Sequence, residues 1–271
     1  MHVLVHHGTP SSGRLYAAWE QDGIELVGFD RSGYGDAPRR HGRSVADVVD
    51  EVVALADARG IDRFATWGIS GGGPHALACA ALLPDRVIAA AAIGSPAPRD
   101  ADGLDWYAGF GEGNVVEFNA ALEGEAALSG LCTDLRLMSL QRLQAGRLDW
   151  MGDDYALSDA DKAQMQRHFI RTRAHIANGL TGSADGWIDD NLAMVKPWGF
   201  DVASIRVPVL LTYGRTDVLV PAAHGDWLAE HVPGAIAWVD EDSGHLGADE
   251  QMEREYAWLT GRQTEPAATL A

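Results

Sequence analysis

A serine flanked by glycines is the first feature of the sequence that could carry chemistry. Ser70 lies in Gly68-Ile69-Ser70-Gly71-Gly72, a G-x-S-x-G pattern between a strand-like run at 63–67 and a helix-like run at 72–83. A serine at the tip of such a sharp turn needs small neighbours two positions before and after it, and the flanking glycines supply them. A glycine-rich turn with an incidental serine would also match, but the strand-to-helix context favours a nucleophile. We therefore predict Ser70 as the nucleophile.

A carboxylate and a histidine follow two later strand-like runs. Asp217 comes four residues after the run 207–213, and His245 follows the run 235–239. A serine hydroxyl is a weak nucleophile at neutral pH, so a base must take its proton and a carboxylate must orient that base. The carboxyl ends of parallel strands meet at one edge of a sheet. We expect Ser70, Asp217 and His245 to form a catalytic triad at this edge.

Other acidic residues compete with Asp217 for the third position. Asp240 and Asp242 are closer to His245 in sequence but stand on its own loop, whereas Asp189 and Asp190 fall in the long middle segment. The position after a separate strand favours Asp217.

The remaining histidines and the two cysteines predict no metal site. His168 and His175 are seven positions apart, as are His224 and His231. Two helical turns are too far for a shared metal, and we expect these four side chains at the surface. Two cysteines are also too few for a four-cysteine site or a disulfide framework.

Backbone N–H donors for a tetrahedral intermediate are expected at two places. One is normally the residue after the nucleophile, here Gly71, and the other lies in the loop after an early strand. That loop is His7-Gly8-Thr9-Pro10, and because proline has no N–H, Thr9 is the expected donor. We expect His6 and His7 to pack behind this loop, with direct proton transfer as the less favoured alternative.

The elements that must position these residues alternate along the chain. Strand-like runs lie at 3–6, 24–29, 63–67, 87–93, 207–213 and 235–239, and helix-like runs lie at 12–21, 44–59, 72–83, 222–231 and 249–259. Such alternation is typical of β-α-β units around a parallel sheet. We predict an α/β fold with one mostly parallel sheet flanked by helices.

A long segment interrupts this alternation. Positions 96–206 comprise 111 residues, whereas a crossover between parallel strands needs about a dozen. Helix-like runs lie at 112–128, 131–144, 158–178 and 184–195, with breaks that contain glycine. We predict a core in two parts, 1–97 and 201–271, with a helical cap inserted at 98–200.

Aromatic and methionine side chains are frequent in the predicted cap. Most must hold the cap together, but those that face the catalytic edge would form an adaptable apolar pocket. We expect two or three to contact substrate, and the candidates are Trp106, Trp150, Trp187 and Met138. Positions 100–134 hold eight acids and no Lys or Arg. A polyanionic substrate such as an acyl phosphate would be repelled, so a neutral or cationic ester fits better.

The whole chain is strongly acidic. Its 271 residues include 39 Asp and Glu against 21 Lys and Arg, a formal net charge of −18, which would repel nucleic acid and anionic lipid. No apolar run approaches the ~18 residues that cross a bilayer, and the first ten residues show no signal-peptide pattern. We expect a cytoplasmic protein that acts on a small molecule, with no nucleic-acid or membrane partner.

Five segments together resemble the α/β-hydrolase-fold serine hydrolases with a helical cap, in the branch of esterases and proline iminopeptidases. They are His7-Gly8-Thr9-Pro10, Asp30-Arg31-Ser32-Gly33-Tyr34-Gly35, the Ser70 turn, the region of Asp217 at 213–221, and Ser243-Gly244-His245. The resemblance implies an acyl-serine mechanism that needs no metal and no organic cofactor. Dehalogenases and epoxide hydrolases of this fold use aspartate where this chain has Ser70, which favours acyl transfer over alkyl transfer.

The sequence departs from this family at its start. The family usually has extra strands before the segment that begins here at Val3. Those strands would flank the run 24–29, so we expect that edge to be covered by polar neighbours or by a second subunit. A homo-oligomer is thus one of two expectations.

The sequence as a whole favours a hydrolase that cleaves a small or medium, largely apolar carboxylic ester. The same machinery would serve an amide, a lactone or a carbon–carbon bond, as in an aminopeptidase-like enzyme. A non-catalytic ligand-binding member of the fold is a third reading. The residues alone do not separate these alternatives.

Overall fold

One parallel β-sheet organises the chain. A computed structural model describes residues 1–15, 23–147, 149–152, 155, 157–247 and 249–262, without the side chains of 171 and 249. The strands of the sheet are β1 (His2–His6), β2 (Glu25–Gly28), β3 (Phe64–Ile69), β4 (Val87–Ile93), β5 (Val209–Gly214) and β6 (Ile236–Asp240). All neighbours are parallel, in the order β2-β1-β3-β4-β5-β6. The predicted α/β fold with a parallel sheet is therefore confirmed.

Helices cover both faces of the sheet and fill the long interval between β4 and β5. The α-helices of the described ranges are α1 (Val48–Ala58), α2 (Gly73–Leu82), α3 (Glu112–Glu123), α4 (Glu125–Gln144), α5 (Asp159–Arg167), α6 (Phe169–Gly179), α7 (Asp185–Met194), α8 (Ala222–His231) and α9 (Asp249–Leu259). Short 3₁₀ turns lie at Ser70–Gly72 and Val202–Ser204. None of these helices is long and apolar enough to cross a membrane.

The central strands are buried on both faces. Every residue of β5 is buried, as is nearly all of β4, which is typical of parallel strands covered on both sides. Side chains alternate between two cores: Leu211 packs in the core with α1, α2 and α8, whereas Leu210 packs in the core with α9. This burial fixes the register, so the loops at the carboxyl ends of the strands have fixed relative positions.

The interval between β4 and β5 contains helices α3 to α7 and is called here the β4–β5 segment (residues 94–208). Part of it packs around its own apolar core, which includes Leu128, Cys132, Leu180 and Ile188. Two predicted helix boundaries in this segment are wrong. The first break falls at Gly124, whose φ of +117° suits glycine, and the run 158–178 divides at His168, the residue between α5 and α6.

The predicted helix at 12–21 is also wrong where it can be compared. Residues 12–15 form neither helix nor strand, because this stretch lies against the end of β2. The backbone N–H of Gly13 donates to Asp30 Oδ1 at 2.7 Å, and a Cβ on Gly28 would lie 2.0 Å from the carbonyl oxygen of Gly13. Residues 16–21 of that run lie outside the described residues.

Strand β2 lies at one edge of the sheet, and within the described residues no strand pairs beyond it. The ion pair between His2 Nε2 and Glu25 Oε2, at 3.1 Å, joins β2 to its inner neighbour β1. Whether a second subunit covers this edge stays a prediction.

Candidate active site

Ser70 lies on the turn between β3 and α2. Its φ is +55°, the only positive φ at a non-glycine position within the described ranges, and this conformation costs roughly 1–2 kcal/mol. Close packing around the turn explains the neighbouring glycines, because a Cβ on Gly68 would lie 2.3 Å from the carbonyl oxygen of Gly72. The strained turn directs Ser70 into a cavity, of which it is a lining residue.

His245 and Asp217 form a buried pair at the same edge of the sheet. His245 Nδ1 lies 2.7 Å from Asp217 Oδ2, while Asp217 Oδ1 accepts hydrogen bonds from the backbone N–H groups of Leu219 and Val220, both at 2.8 Å. Oδ1 is thus held by the loop of Asp217 itself, and Oδ2 is available to the imidazole. Burial acts to lower the pKa of His245, but the Asp217 carboxylate outweighs it and the pKa is raised.

Two further residues enclose the imidazole of His245. Gly94, after β4, has a φ of +50°, and a Cβ there would lie 3.0 Å from His245 Nδ1. Asp161, buried at the start of α5, accepts a hydrogen bond from the Leu246 backbone N–H at 2.8 Å and adds to the upward shift in the pKa of His245. The β4–β5 segment therefore contacts the histidine loop directly.

The two expected N–H donors are neighbours in space. A Cβ on Gly71 would lie 3.4 Å from the backbone nitrogen of Thr9 and 2.4 Å from its Oγ1, and a Cβ on Gly8 would lie 3.4 Å from Ser70 Cβ. The loop formed by residues 7–9, called here the 7–9 loop, thus lies beside the Ser70 turn. Thr9 and Gly71 line the same cavity as Ser70 and His245, an arrangement able to bind an oxyanion.

The cavity has a volume of about 890 Å³, within the range of small-molecule sites. Ser70, His245 and the 7–9 loop are among its lining residues, and the β4–β5 segment supplies most of the others. Its apolar lining includes Phe110, Phe118, Trp150, Met151, Met165 and Trp187. An apolar group of moderate size fits this lining.

The structure divides the four substrate-contact candidates into two pairs. Trp150 and Trp187 line the cavity, whereas Trp106 and Met138 are not among its described lining residues. Trp106 packs edge-on against Phe118 and donates from Nε1 to the carbonyl of Ala97 at 2.9 Å. The methyl end of Met138 lies beside Gly152, a residue of the cavity wall.

A buried carboxylate in the cavity wall was missed by the sequence reasoning. Glu117 of α3 accepts hydrogen bonds from Trp187 Nε1 at 2.7 Å, from Asn191 Nδ2 at 2.6 Å and from the hydroxyl of Tyr155. All four residues line the cavity. Burial raises the pKa of Glu117, and the three donors oppose that shift. No ion pair within the described part of the chain involves Glu117, so its charge has only neutral partners.

Asp190, a rejected candidate for the triad acid, lies beside the 7–9 loop instead of His245. Its Oδ2 accepts from the hydroxyl of Thr9 at 2.5 Å and from Arg31 Nη2 at 2.6 Å. Arg31 belongs to the Asp30–Gly35 segment, one of the five segments that carry the family resemblance. The only signal in the sequence was the family resemblance at that segment, because no spacing relates positions 31 and 190.

The burial of His6 and His7 agrees with the sequence-based expectation, and the burial of His224 does not. His6 and His7 are buried, and burial holds the pKa of each well below its usual value, which fits packing behind the loop. The expected surface position of His224 is wrong: it is buried, and its Nδ1 accepts from the Ala97 backbone N–H at 3.1 Å. Burial lowers the pKa of His224 to about 4, so it is neutral at physiological pH. A sequence spacing cannot reveal this, because Ala97 and His224 meet only in the fold.

Comparison with known proteins gives the family. The chain is 29% identical over 140 residues to rhodomycin D methylesterase DauP of Streptomyces sp. (strain C5), a match that covers 48% of this chain and only 47% of that enzyme. It is 24% identical over 253 residues to RutD of Caulobacter sp. (strain K31), which carries the name of a carbamate hydrolase, and the match covers 90% of this chain and 83% of RutD. A solved esterase from Thermogutta terrifontis has the same fold, with a TM-score of 0.68 at 18% identity over 97% of this chain and 91% of that one. The family model of the alpha/beta hydrolase fold matches residues 1–251, and the chain therefore belongs to the α/β-hydrolase fold family.

Proposed function

We propose that this protein hydrolyses carboxylic esters through an acyl-serine intermediate. The observation that carries the proposal is that Ser70, His245, Thr9 and Gly71 line one and the same cavity. Behind them, the hydrogen bond from His245 to Asp217 would fix the tautomer in which Nε2 is free to accept a proton.

Acylation begins with attack by the serine. Ser70 Oγ adds to the ester carbonyl carbon while its proton passes to His245 Nε2, and the carbonyl oxygen becomes an oxyanion. The backbone N–H groups of Thr9 and Gly71 donate to that oxyanion. The imidazolium then gives its proton to the alcohol oxygen as the bond from carbon to that oxygen breaks.

Deacylation repeats these steps with water. His245 Nε2 takes a proton from a water molecule, whose oxygen adds to the acyl carbon under the same two N–H donors. The bond to Ser70 Oγ breaks and Oγ recovers the proton from the imidazolium. Asp217 stays ionised throughout and stabilises the positive charge on His245.

The substrate is proposed to be small or medium in size, uncharged at the acyl group and largely apolar. The cavity volume of about 890 Å³ and the lining by tryptophan, phenylalanine and methionine support this class. The net charge of −18 disfavours polyanionic esters. In this proposal the division into a core at 1–97 and 201–271 and a cap at 98–200 holds, and the cap closes the cavity over the ester.

Glu117 favours a second candidate within the same chemistry. A buried carboxylate with only neutral hydrogen-bond donors is poorly compensated, and a protonated amine on the substrate would compensate it best. An amino-substituted ester, or an amide with a free amino group as in an aminopeptidase-like enzyme, is therefore the alternative substrate. RutD carries the name of a carbamate hydrolase, and this name supports a substrate with a carbonyl–nitrogen bond as the alternative.

The test is a panel of p-nitrophenyl esters with acyl chains of two to eight carbons, run beside matching p-nitroanilides. We expect ester turnover in the wild-type protein and a loss of at least about a thousand-fold in Ser70→Ala. Rapid quenching during turnover should show an enzyme mass increased by the acyl group. Absence of ester and anilide turnover, with no acyl adduct, would overturn the proposal in favour of a ligand-binding protein.

A further inference from the structure

We propose that the buried ion pair between Arg31 and Asp190 positions the 7–9 loop for oxyanion binding, so that the helix α7 of the β4–β5 segment controls the reactivity of Ser70. This inference rests on the proposed function, because it assigns Arg31 and Asp190 as positioning residues for the N–H donor at Thr9.

The guanidinium of Arg31 contacts each residue of the 7–9 loop. Its Nη1 donates to the carbonyl oxygen of His7 at 2.6 Å, and its Nη2 lies 3.3 Å from the carbonyl oxygen of Gly8 and 3.2 Å from Thr9 Oγ1. In addition, the Arg31 backbone N–H donates to His7 Nε2 at 3.3 Å. One side chain therefore contacts three consecutive residues, and the planar guanidinium offers its donors in a fixed geometry.

Asp190 holds both the arginine and the threonine. Its Oδ2 accepts from Arg31 Nη2 at 2.6 Å, from Thr9 Oγ1 at 2.5 Å and from the hydroxyl of Tyr34 at 2.8 Å. The side chains of Asp190 and Arg31 are 0% and 1% exposed, so water does not compete for these bonds. Burial acts to raise the pKa of Asp190, but Arg31 and Arg43 outweigh it and hold that pKa well below its usual value.

The hydroxyl and the N–H of Thr9 belong to one residue, and this connects the ion pair to the chemistry. Loss of the bonds from Arg31 to the His7 and Gly8 carbonyls and from Thr9 Oγ1 to Asp190 would let the loop backbone shift, and with it the Thr9 N–H, which lies beside Gly71. Displacements of about 1 Å in a catalytic geometry can cost about a hundred-fold in rate. The network therefore has a role that differs from simple stabilisation of the core.

Asp190 also connects the 7–9 loop to the part of the cavity lining that α7 supplies. It lies in α7, directly before Asn191, and Asn191 and Trp187 of the same helix line the cavity and donate to Glu117. A shift of α7 would thus move part of the substrate wall and the anchor of the 7–9 loop together. On this account, correct seating of α7 is a condition for a competent oxyanion site.

The adjacent residue on α7 provides a matched control. Asp189 is also buried and also pairs with an arginine, since Arg39 Nε and Nη2 donate to its carboxylate at 2.9 and 2.7 Å. No described hydrogen bond joins Asp189 to the 7–9 loop. Asp189→Asn therefore removes a buried ion pair of α7 without touching Thr9, whereas Asp190→Asn removes the charge that anchors the loop.

The experiment measures inhibition by an alkyl trifluoromethyl ketone beside steady-state hydrolysis of p-nitrophenyl butanoate. Ser70 Oγ adds to the ketone carbonyl carbon, its proton passes to His245, and the adduct carries an oxyanion at the proposed donor site. For Asp190→Asn we expect kcat and ketone affinity to fall together by about 10- to 100-fold, with KM changed by less than about two-fold. Asp189→Asn should leave both near wild type, whatever it does to Tm.

A second pair of variants keeps the test valid if Asp190→Asn fails to fold. Thr9→Val removes the hydroxyl and keeps the shape, and should lose kcat and ketone affinity in the same proportion. Thr9→Ser keeps the hydroxyl and should restore most of both. If Thr9→Val matches wild type, or Asp190→Asn matches Asp189→Asn, the ion pair is merely structural and this inference is overturned. If the wild-type protein neither binds the ketone nor cleaves the ester, the proposed function itself fails.

Discussion

His245 Nδ1 and Asp217 Oδ2 lie 2.7 Å apart, although 28 positions separate the two residues in sequence. The bond is buried between the loops that follow β5 and β6, and Asp217 is oriented by its own backbone through Leu219 and Val220. His245 lines the same cavity as Ser70, and the Asp217 carboxylate raises the pKa of its imidazole.

The first prediction concerns pH. Because only neutral His245 can accept a proton, kcat/KM should fall as pH decreases through the pKa of His245, and the raised pKa puts the midpoint above ~6.5. Asp161→Asn removes a negative charge that favours the imidazolium, so the midpoint should move to lower pH. Asp159→Asn, on the same helix but exposed and paired with Lys162, should leave the profile unchanged. A midpoint at or below 6 in the wild-type profile would contradict this assignment.

A second prediction concerns the space around the imidazole. Gly94→Ala would place a Cβ 3.0 Å from His245 Nδ1 at a backbone φ of +50°, so the ring must shift and kcat should fall about a hundred-fold. The backbone strain alone should cost roughly 1–2 kcal/mol of unfolding free energy.

The matched control for Gly94 is Gly60→Ala. Gly60 has a φ of +66° with no atom within 4 Å of an added Cβ, so it carries the strain without the contact. Equal losses of kcat in both variants would show that strain, and not displacement of His245, is responsible.

The strands and the residues that follow them could be predicted from the sequence, whereas one helix could not. The strands were recognisable because buried parallel strands are short, apolar and bounded by turns, and each predicted strand boundary lies within two residues of the observed one. Thr9, Ser70, Gly71 and His245 could be expected together because they follow strands at one edge of the sheet. The start of the predicted helix, residues 12–15, was wrong because the helical pattern takes no account of the hydrogen bond between Gly13 and Asp30, a contact that exists only after folding.

The residues behind the site were not predictable in the same way. Glu117, Arg31 and Asp190 take their roles from contacts between segments as much as 159 positions apart. In the sequence they resemble ordinary charged residues of a surface helix or loop. Burial of a charge depends on the whole fold, and no local pattern indicates it.

The third prediction tests the carboxylate in the cavity wall. Glu117→Gln should raise KM about ten-fold for an ester with a terminal ammonium on its acyl chain and leave the isosteric uncharged ester unchanged, because only the charged group gains from the carboxylate. Loss of one acceptor beside three donors should also lower the unfolding free energy by about 1–3 kcal/mol. Glu123→Gln, at the exposed end of the same helix, is the control. Equal effects on both esters would remove the amine-bearing substrates from consideration.

The fourth prediction separates cavity residues from their supports. Trp150→Ala should raise KM for p-nitrophenyl hexanoate about ten-fold, since the longer acyl chain loses apolar contact area. The acetate ester is too short to fill the cavity and should be little affected. Met138 lies outside the described lining, so Met138→Ala should leave KM for both esters unchanged. A similar rise in KM for the hexanoate ester in both variants would argue against Trp150 as a substrate contact.

The most direct test of the account is the intact mass of the protein after incubation with a fluorophosphonate, on the wild type and on Ser70→Ala. An activated serine displaces fluoride and forms a stable phosphonate ester, so we predict one adduct in the wild type, located on the peptide that contains Ser70, and none in Ser70→Ala. An unmodified wild-type protein, or an equal adduct in Ser70→Ala, would contradict the central claim that Ser70 is the nucleophile.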